Sequence, residues 1–249
     1  MIGLVVKNIT NIGYMMNYYV HKKTRLLKNF DKTANLIRGY VVLRYGKEFA
    51  DSLFQKTRQE YEQLVPRMPH VDSLPALNAF LKIATLELAV FRALKEQGKS
   101  ASEAWELCHE ALKARTEAMP KLIKKLIGWY LFTGFVKNRA RKISGRDLGG
   151  FTIEYVEEEG DWGVNYRRCA IYDFLKEQNA EDFSPYVCLS DMALSDAMGW
   201  GLKRTETLAD GCDKCDFRFR KGAQTEISSR TPEVQATIEK IKGNARLNT

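Results

Sequence analysis

The sequence predicts an α+β protein: a helical N-terminal half packed on a small antiparallel sheet that carries a helix pair. Three observations predict it. Apolar residues recur at intervals of three and four through the first 145 positions. Gly145, Gly149 and Gly150 then mark a change in composition. After them come short β-branched and aromatic runs that read as strands. The expected division is a helical region over residues 1–147 and an α+β region over 148–249, or one domain that integrates both. A chain of 249 residues is long enough to bury a full hydrophobic core either way.

Residues 1–28 are expected to be helical, as is Asp31 to Tyr45. A further helix covers about Phe49 to Leu64 and stops at Pro66 and Pro69, so Val65-Pro-Arg-Met-Pro69 should be an extended bend. Leu77, Phe80, Leu81, Ala84, Leu88, Phe91 and Leu94 form one apolar helical face that Gly98 ends. Ser100 and Glu103 make a capping box for the next helix, which turns Ala104, Leu107, Cys108, Ala111 and Leu112 inward. The apolar run Leu126 to Val136 is too short to span about 30 Å of hydrocarbon. With lysines and arginines on both sides it reads as a buried core helix with basic ends, and an interfacial membrane helix is the other reading.

Past the glycines, Phe151 to Val156 alternates as a strand. Tyr166 to Gln178 reads as a helix, and Pro185 opens another that runs to Met198 before Gly199 and Gly201. Leu202 to Leu208 and Cys215 to Arg220 read as strands joined by an Asp-Gly turn, residues 223–231 as loop, and Pro232 to Lys242 as a charged helix.

The formal charge of +8 is uneven. Residues 1–150 hold 26 Lys/Arg and 13 Asp/Glu, whereas residues 151–249 hold 13 and 18. The basic residues are dispersed at helical spacing, which describes a solvated surface and gives no nucleic-acid footprint. No transmembrane segment and no signal peptide are expected. Five cysteines, an odd number in a chain too large to need disulfide staples, suit a cytoplasmic protein with reduced thiols.

Four of those cysteines fall within 47 residues, 169 to 215. Cys212-Asp-Lys-Cys215 is half of a zinc ribbon, and Cys169 and Cys188 would have to complete a four-thiolate site; otherwise no cofactor is called for. In Pro185-Tyr-Val-Cys-Leu-Ser-Asp191 a helical start would put Cys188 and Asp191 on one face, where a helix N-terminus favours a thiolate and the carboxylate can take a proton. Tyr166 and Cys169 have the same spacing. Arg167, Arg168 and Arg204 are candidates to clamp a carboxylate.

These motifs resemble the L-2-amino-thiazoline-4-carboxylic acid hydrolase family. The resemblance rests on Tyr61-Glu-Gln-Leu-Val-Pro-Arg-Met-Pro69, Gly163-Val-Asn-Tyr-Arg-Arg-Cys169, Ser184-Pro-Tyr-Val-Cys-Leu-Ser-Asp191, Leu202-Lys-Arg-Thr-Glu-Thr-Leu-Ala-Asp-Gly211 and Cys215-Asp-Phe-Arg-Phe219. The chain departs from the family pattern at Tyr172, where many relatives carry a second thiol, and at Cys212, which is additional. Gly211, Cys215 and Phe217 are also similar to the ending of 4-vinyl-reductase-type small-molecule-binding domains, which implies an α+β domain around an apolar ligand cavity. The family resemblance implies hydrolytic opening of a small cyclic amidine or thiazoline ring to an N-carbamoyl-cysteine-like product. It implies catalytic roles for Cys188, Asp191 and Cys169, and substrate contacts from Tyr166, Arg204 and Cys215. A non-catalytic small-molecule-binding or sensor module is the rival expectation. A homo-oligomer is compatible with either.

Overall fold

A computed structural model describes residues 18–71, 75–158 and 161–247 of the chain. The helix expected at the very N-terminus lies largely outside the described residues. The chain divides into two compact units, Met1–Leu107 and Cys108–Thr249. The change from purely helical to strand-bearing chain falls inside the second.

The first unit is built on α1 (Lys23–Tyr45), α2 (Lys47–Leu64) and α3 (Pro75–Lys95). Leu26, Phe30, Ala34, Ile37 and Val41 face inward from α1, and Ala50, Leu53, Thr57, Tyr61 and Leu64 from α2. Both series follow the three-to-four spacing of one helical stripe, and the rings of Phe30 and Tyr61 stack at 4.7 Å. Leu81, Ala84, Leu88, Phe91 and Leu94 of α3 are buried as their periodicity requires. The expected extended bend at Val65 is instead a 3₁₀ turn, Val65–Arg67. Pro66 sits at the start of that turn, where its missing N–H costs nothing, and the chain extends only at Met68.

Helix α4 (Ala101–Glu117) begins on the expected capping box. The Glu103 N–H donates to Ser100 Oγ at 3.2 Å, and the Ser100 N–H donates to Glu103 Oε2 at 3.0 Å.

In the second unit, α5 (Lys121–Leu131) and α6 (Gly134–Ile143) split the apolar run 126–136. The run is not a buried core helix. Gly128 is the buried residue of α5, and its apolar side chains are exposed. Thr133 caps α6 by accepting from the Val136 N–H at 3.4 Å.

The sheet holds β1 (Thr152–Glu158), β2 (Asp161–Arg168), β3 (Leu202–Arg204), β4 (Cys215–Phe219) and β5 (Glu226–Ile227), in the order β1-β2-β4-β3-β5. All pairings are antiparallel except β3 with β5, so the sheet is mixed, not antiparallel throughout. Gly163 lets β2 close on β4, since a Cβ there would lie 1.9 Å from the Phe217 carbonyl oxygen. Between β2 and β3 come α7 (Ala170–Glu177), α8 (Ser184–Cys188) and α9 (Ser190–Met198). The C-terminal helix α10 is Pro232–Leu247.

Three expectations fail here for local reasons. Tyr166 to Gln178 is not one helix: Tyr166 pairs in β2 and the helix starts only at Ala170. The alternation of inward Trp162 and Val164 with outward Arg167 carries the strand through. Residues 185–198 form two helices that meet at Leu189. β3 stops at Arg204 because the Asp216 carboxylate accepts from the N–H groups of Thr205 (2.8 Å) and Glu206 (2.6 Å) and from Thr205 Oγ1, which draws the chain into a loop.

Candidate active site

Arg204 lies at the end of β3. The register Leu202↔Phe219 and Lys203↔Arg218 turns Leu202 and Arg204 to one sheet face and Lys203 to the other. Leu202 and Arg204 are buried and Lys203 is exposed. Arg204 is thus drawn inward by the period-two geometry of the strand, and its side chain is 1% exposed. Its guanidinium stands over the Phe217 ring, 5.4 Å from the centroid. Nη1 donates to Asp191 Oδ2 at 2.5 Å and to the Cys188 carbonyl at 2.9 Å. Nε is buried with no hydrogen-bond partner among the described residues. A guanidinium taken out of water needs its counter-charge close by, and Asp191 supplies it.

Asp191 stands in the first turn of α9, where a carboxylate is favoured by the exposed N–H groups of the helix. Its position relative to Arg204 is fixed through Ser195. The Ser195 hydroxyl accepts from the Leu202 N–H at 3.0 Å and bonds Thr225 Oγ1 at 2.8 Å, which ties α9 to β3. Gly201 permits the entry to β3, with φ +57° and space that a Cβ would take to within 1.9 Å of the Arg220 carbonyl oxygen. Neither Ser195 nor Gly201 stood out in the sequence as a site residue. From the other side, Gly128 of α5 lies against the end of α9, where a Cβ would come 2.1 Å from the Met198 carbonyl oxygen.

Tyr166 and Cys215 are direct partners across β2 and β4. They are brought together by strand pairing, not by the helical spacing expected of Tyr166 with Cys169. The Tyr166 ring meets Phe217 edge-on at 5.1 Å. Cys215 is buried and its Sγ accepts from the Leu208 N–H at 3.2 Å. Cys169 is the residue just before α7, with a half-buried side chain. Cys188 ends α8, so it stands at the C-terminal end of a five-residue helix and not at a helix start. The anion-stabilising position expected for its thiol is therefore absent.

These groups share one electrostatic neighbourhood. Burial pushes the Cys169 thiol up to about 12, the nearby Cys188 and Asp191 add to the push, and the N–H groups of Tyr172 and Ile171 oppose it. Burial likewise raises Cys215 to about 12, with the Leu208 N–H and Arg204 pulling the other way and Cys169 and Asp191 adding. Cys188 is raised by burial further still, although Arg204 opposes this. The Tyr166 phenol is raised by burial and then by Cys169, Asp191 and Cys215. All three thiols are therefore neutral at neutral pH, and neutral thiols are weak nucleophiles. Asp191 is raised above the ordinary carboxylate value by burial, with Arg204 opposing through charge and hydrogen bond. Its side chain remains 29% exposed, so water reaches it. A solvent-touched carboxylate with elevated basicity, anchored to a buried cation, can take a proton from water.

Cys212 is half-buried. It sits in the turn after Leu208–Asp210, its N–H bonded to the Thr207 carbonyl at 3.1 Å. The Cys-x-x-Cys pair is thus split between a turn and an inward strand position. Among the described residues no group of three or more His, Cys, Asp or Glu is placed to hold a metal ion, and Cys169, Cys188, Cys212 and Cys215 form no such set. Arg167 pairs with Glu154 at 2.8 Å and Arg168 with Asp173 at 3.0 Å, both at the exposed surface. Asp210, part of the Asp-Gly motif, accepts from the hydroxyls of Thr207, Ser229 and Thr231 and so joins the turn to the start of α10.

Residues 79–219 match the family described as L-2-amino-thiazoline-4-carboxylic acid hydrolase. No curated protein and no solved structure matches the chain. Among the described residues, no helix is long and apolar enough to cross a membrane.

Proposed function

Because the chain belongs to the L-2-amino-thiazoline-4-carboxylic acid hydrolase family, we propose that it hydrolyses a small cyclic amidine of the thiazoline type, with Asp191 as the base. The observation that carries this reading is the pairing of water-accessible Asp191 with buried Arg204 among neutral thiols. In 2-aminothiazoline-4-carboxylate, the carbon between nitrogen and sulfur is the electrophile. Asp191 takes a proton from water as the oxygen adds to that carbon. The carbon–sulfur bond then breaks. The proton held by Asp191 passes to the departing sulfur, and the hydroxyl proton of the adduct moves to the ring nitrogen. One water is consumed, and the product is an N-carbamoyl cysteine.

In this reading Arg204 has two duties. Nη1 orients Asp191, and the buried Nε, without an acceptor among the described residues, is a donor for the substrate carboxylate. Cys188 and Cys169 contribute as protonated thiols that donate to charge developing in the transition state and hold the site, in keeping with their raised pKa values. Tyr166 and Cys215 line the space the ring takes.

The test is release of free thiol from 2-aminothiazoline-4-carboxylate. Turnover should fall about 10²–10⁴-fold in Asp191→Asn and only a few-fold in Cys188→Ser. Unimpaired Asp191→Asn, or a Cys188→Ser variant that is wholly inactive, would reject the assignment of the base.

A second reading, a binding module without turnover, is favoured by the same neutral thiols, which suit packing as well as chemistry. It predicts that the parent protein binds the ring compound and leaves it intact.

A further inference from the structure

Helix α5 is amphipathic, and its apolar side faces out. Its inward edge is Gly128, pressed against the Met198 carbonyl. Leu122, Leu126 and Trp129 recur at four and three on the opposite side, with Ile123, Ile127 and Tyr130 beside them. Seven of the ten exposed large apolar side chains among the described residues lie between Leu122 and Phe135, including Leu122 at 67%, Trp129 at 58% and Phe135 at 62%. So concentrated an apolar patch on a protein surface marks a contact site.

The charge around it says what it contacts. Residues 121–142 contain Lys121, Lys124, Lys125, Lys137, Arg139, Arg141 and Lys142, and no Asp or Glu. Arg141 is engaged by Glu157 at 2.5 Å. Two copies meeting through this face would bring two such basic segments together, which like-charge repulsion opposes. An anionic lipid surface satisfies both features: the apolar arc enters the acyl boundary, Trp129 and Tyr130 lie at headgroup level, and the basic residues meet lipid phosphates.

We propose that the α5–α6 segment docks this protein on anionic membrane surfaces, with Leu122, Leu126, Trp129 and Phe135 as the inserted side chains. Binding is peripheral, since each helix is far too short to span.

The experiment is co-sedimentation of the full chain with vesicles of phosphatidylcholine alone and of equimolar phosphatidylcholine and phosphatidylglycerol. The protein should pellet with the anionic vesicles and stay in solution with the neutral ones. Leu122→Ser with Leu126→Ser, both at exposed positions, should weaken binding at least about tenfold. Lys124→Gln with Lys125→Gln should weaken it about five- to twentyfold and flatten its salt dependence. Failure to bind anionic vesicles, binding that ignores lipid charge, or parental binding by the Leu pair overturns the proposal. So does a dimer in solution that the Leu pair dissolves.

Discussion

Arg204 Nη1 and Asp191 Oδ2 meet at 2.5 Å, yet one side chain is 1% exposed and the other 29%. The pair joins a cation sealed in the protein to a carboxylate that water can touch. In the proposed reaction that asymmetry separates the two roles, Arg204 holding and Asp191 exchanging protons. The Cys188 carbonyl shares the same guanidinium nitrogen, which ties the end of α8 to the start of α9 through β3.

Removing the cation should therefore cost more than a surface ion pair would. Arg204→Ala leaves Asp191 desolvated without its partner, and we expect a loss of about 2–4 kcal/mol, reduced from the fully buried case because Asp191 is partly exposed. Arg204→Lys should recover part of this loss but little activity, since a lysine keeps a charge beside Asp191 but has no second nitrogen in the place of Nε, the donor proposed for the substrate carboxylate. Urea unfolding of both variants beside ring-opening assays checks this.

The thiols give a second test. A thiol whose pKa is about 12 has about 10³-fold less thiolate near neutral pH than one at the ordinary value. Cys169, Cys188 and Cys215 should therefore label slowly in the native protein and quickly after unfolding. Cys212, on its turn, should account for the fast phase, and Cys212→Ser should remove that phase without altering turnover. Rapid labelling that persists in Cys212→Ser and disappears in Cys188→Ser would revive a thiolate nucleophile.

Three glycines should respond differently to alanine. Gly163→Ala and Gly128→Ala put a methyl group into backbone carbonyls, of Phe217 and Met198 respectively, and each should destabilise by about 1–3 kcal/mol. Gly39, inside α1, has nothing among the described residues within 4 Å of its would-be Cβ. Gly39→Ala should stabilise by about 0.5–1 kcal/mol through better helix propensity. Thermal melts of the three variants decide the matter.

Periodicity made the helices of the first unit legible, and Ser100 with Glu103 marked one helix start to the residue. It failed where tertiary geometry decides the outcome. The run 126–136 looked like core because hydrophobicity does not say which side of a helix faces in, and here Gly128 does. The strand through Tyr166 was hidden because Tyr-Arg-Arg-Cys leads directly into α7. Asp191, Arg204 and Cys188 could be picked out by residue type and motif, but their mutual bonding could not. It depends on Ser195 fixing α9 to β3, a contact across the fold that leaves no local pattern.

The most direct test of Asp191 as the base is the pH dependence of kcat/KM for ring opening. A base works only when ionised, so the rate should rise with pH through the pKa of Asp191. Burial places that pKa above the ordinary carboxylate value. With Asp191 as the base, kcat/KM shows an acid limb above about pH 4 that Asp191→Asn abolishes. An acid limb at the same pH in Asp191→Asn as in the parent protein would contradict it.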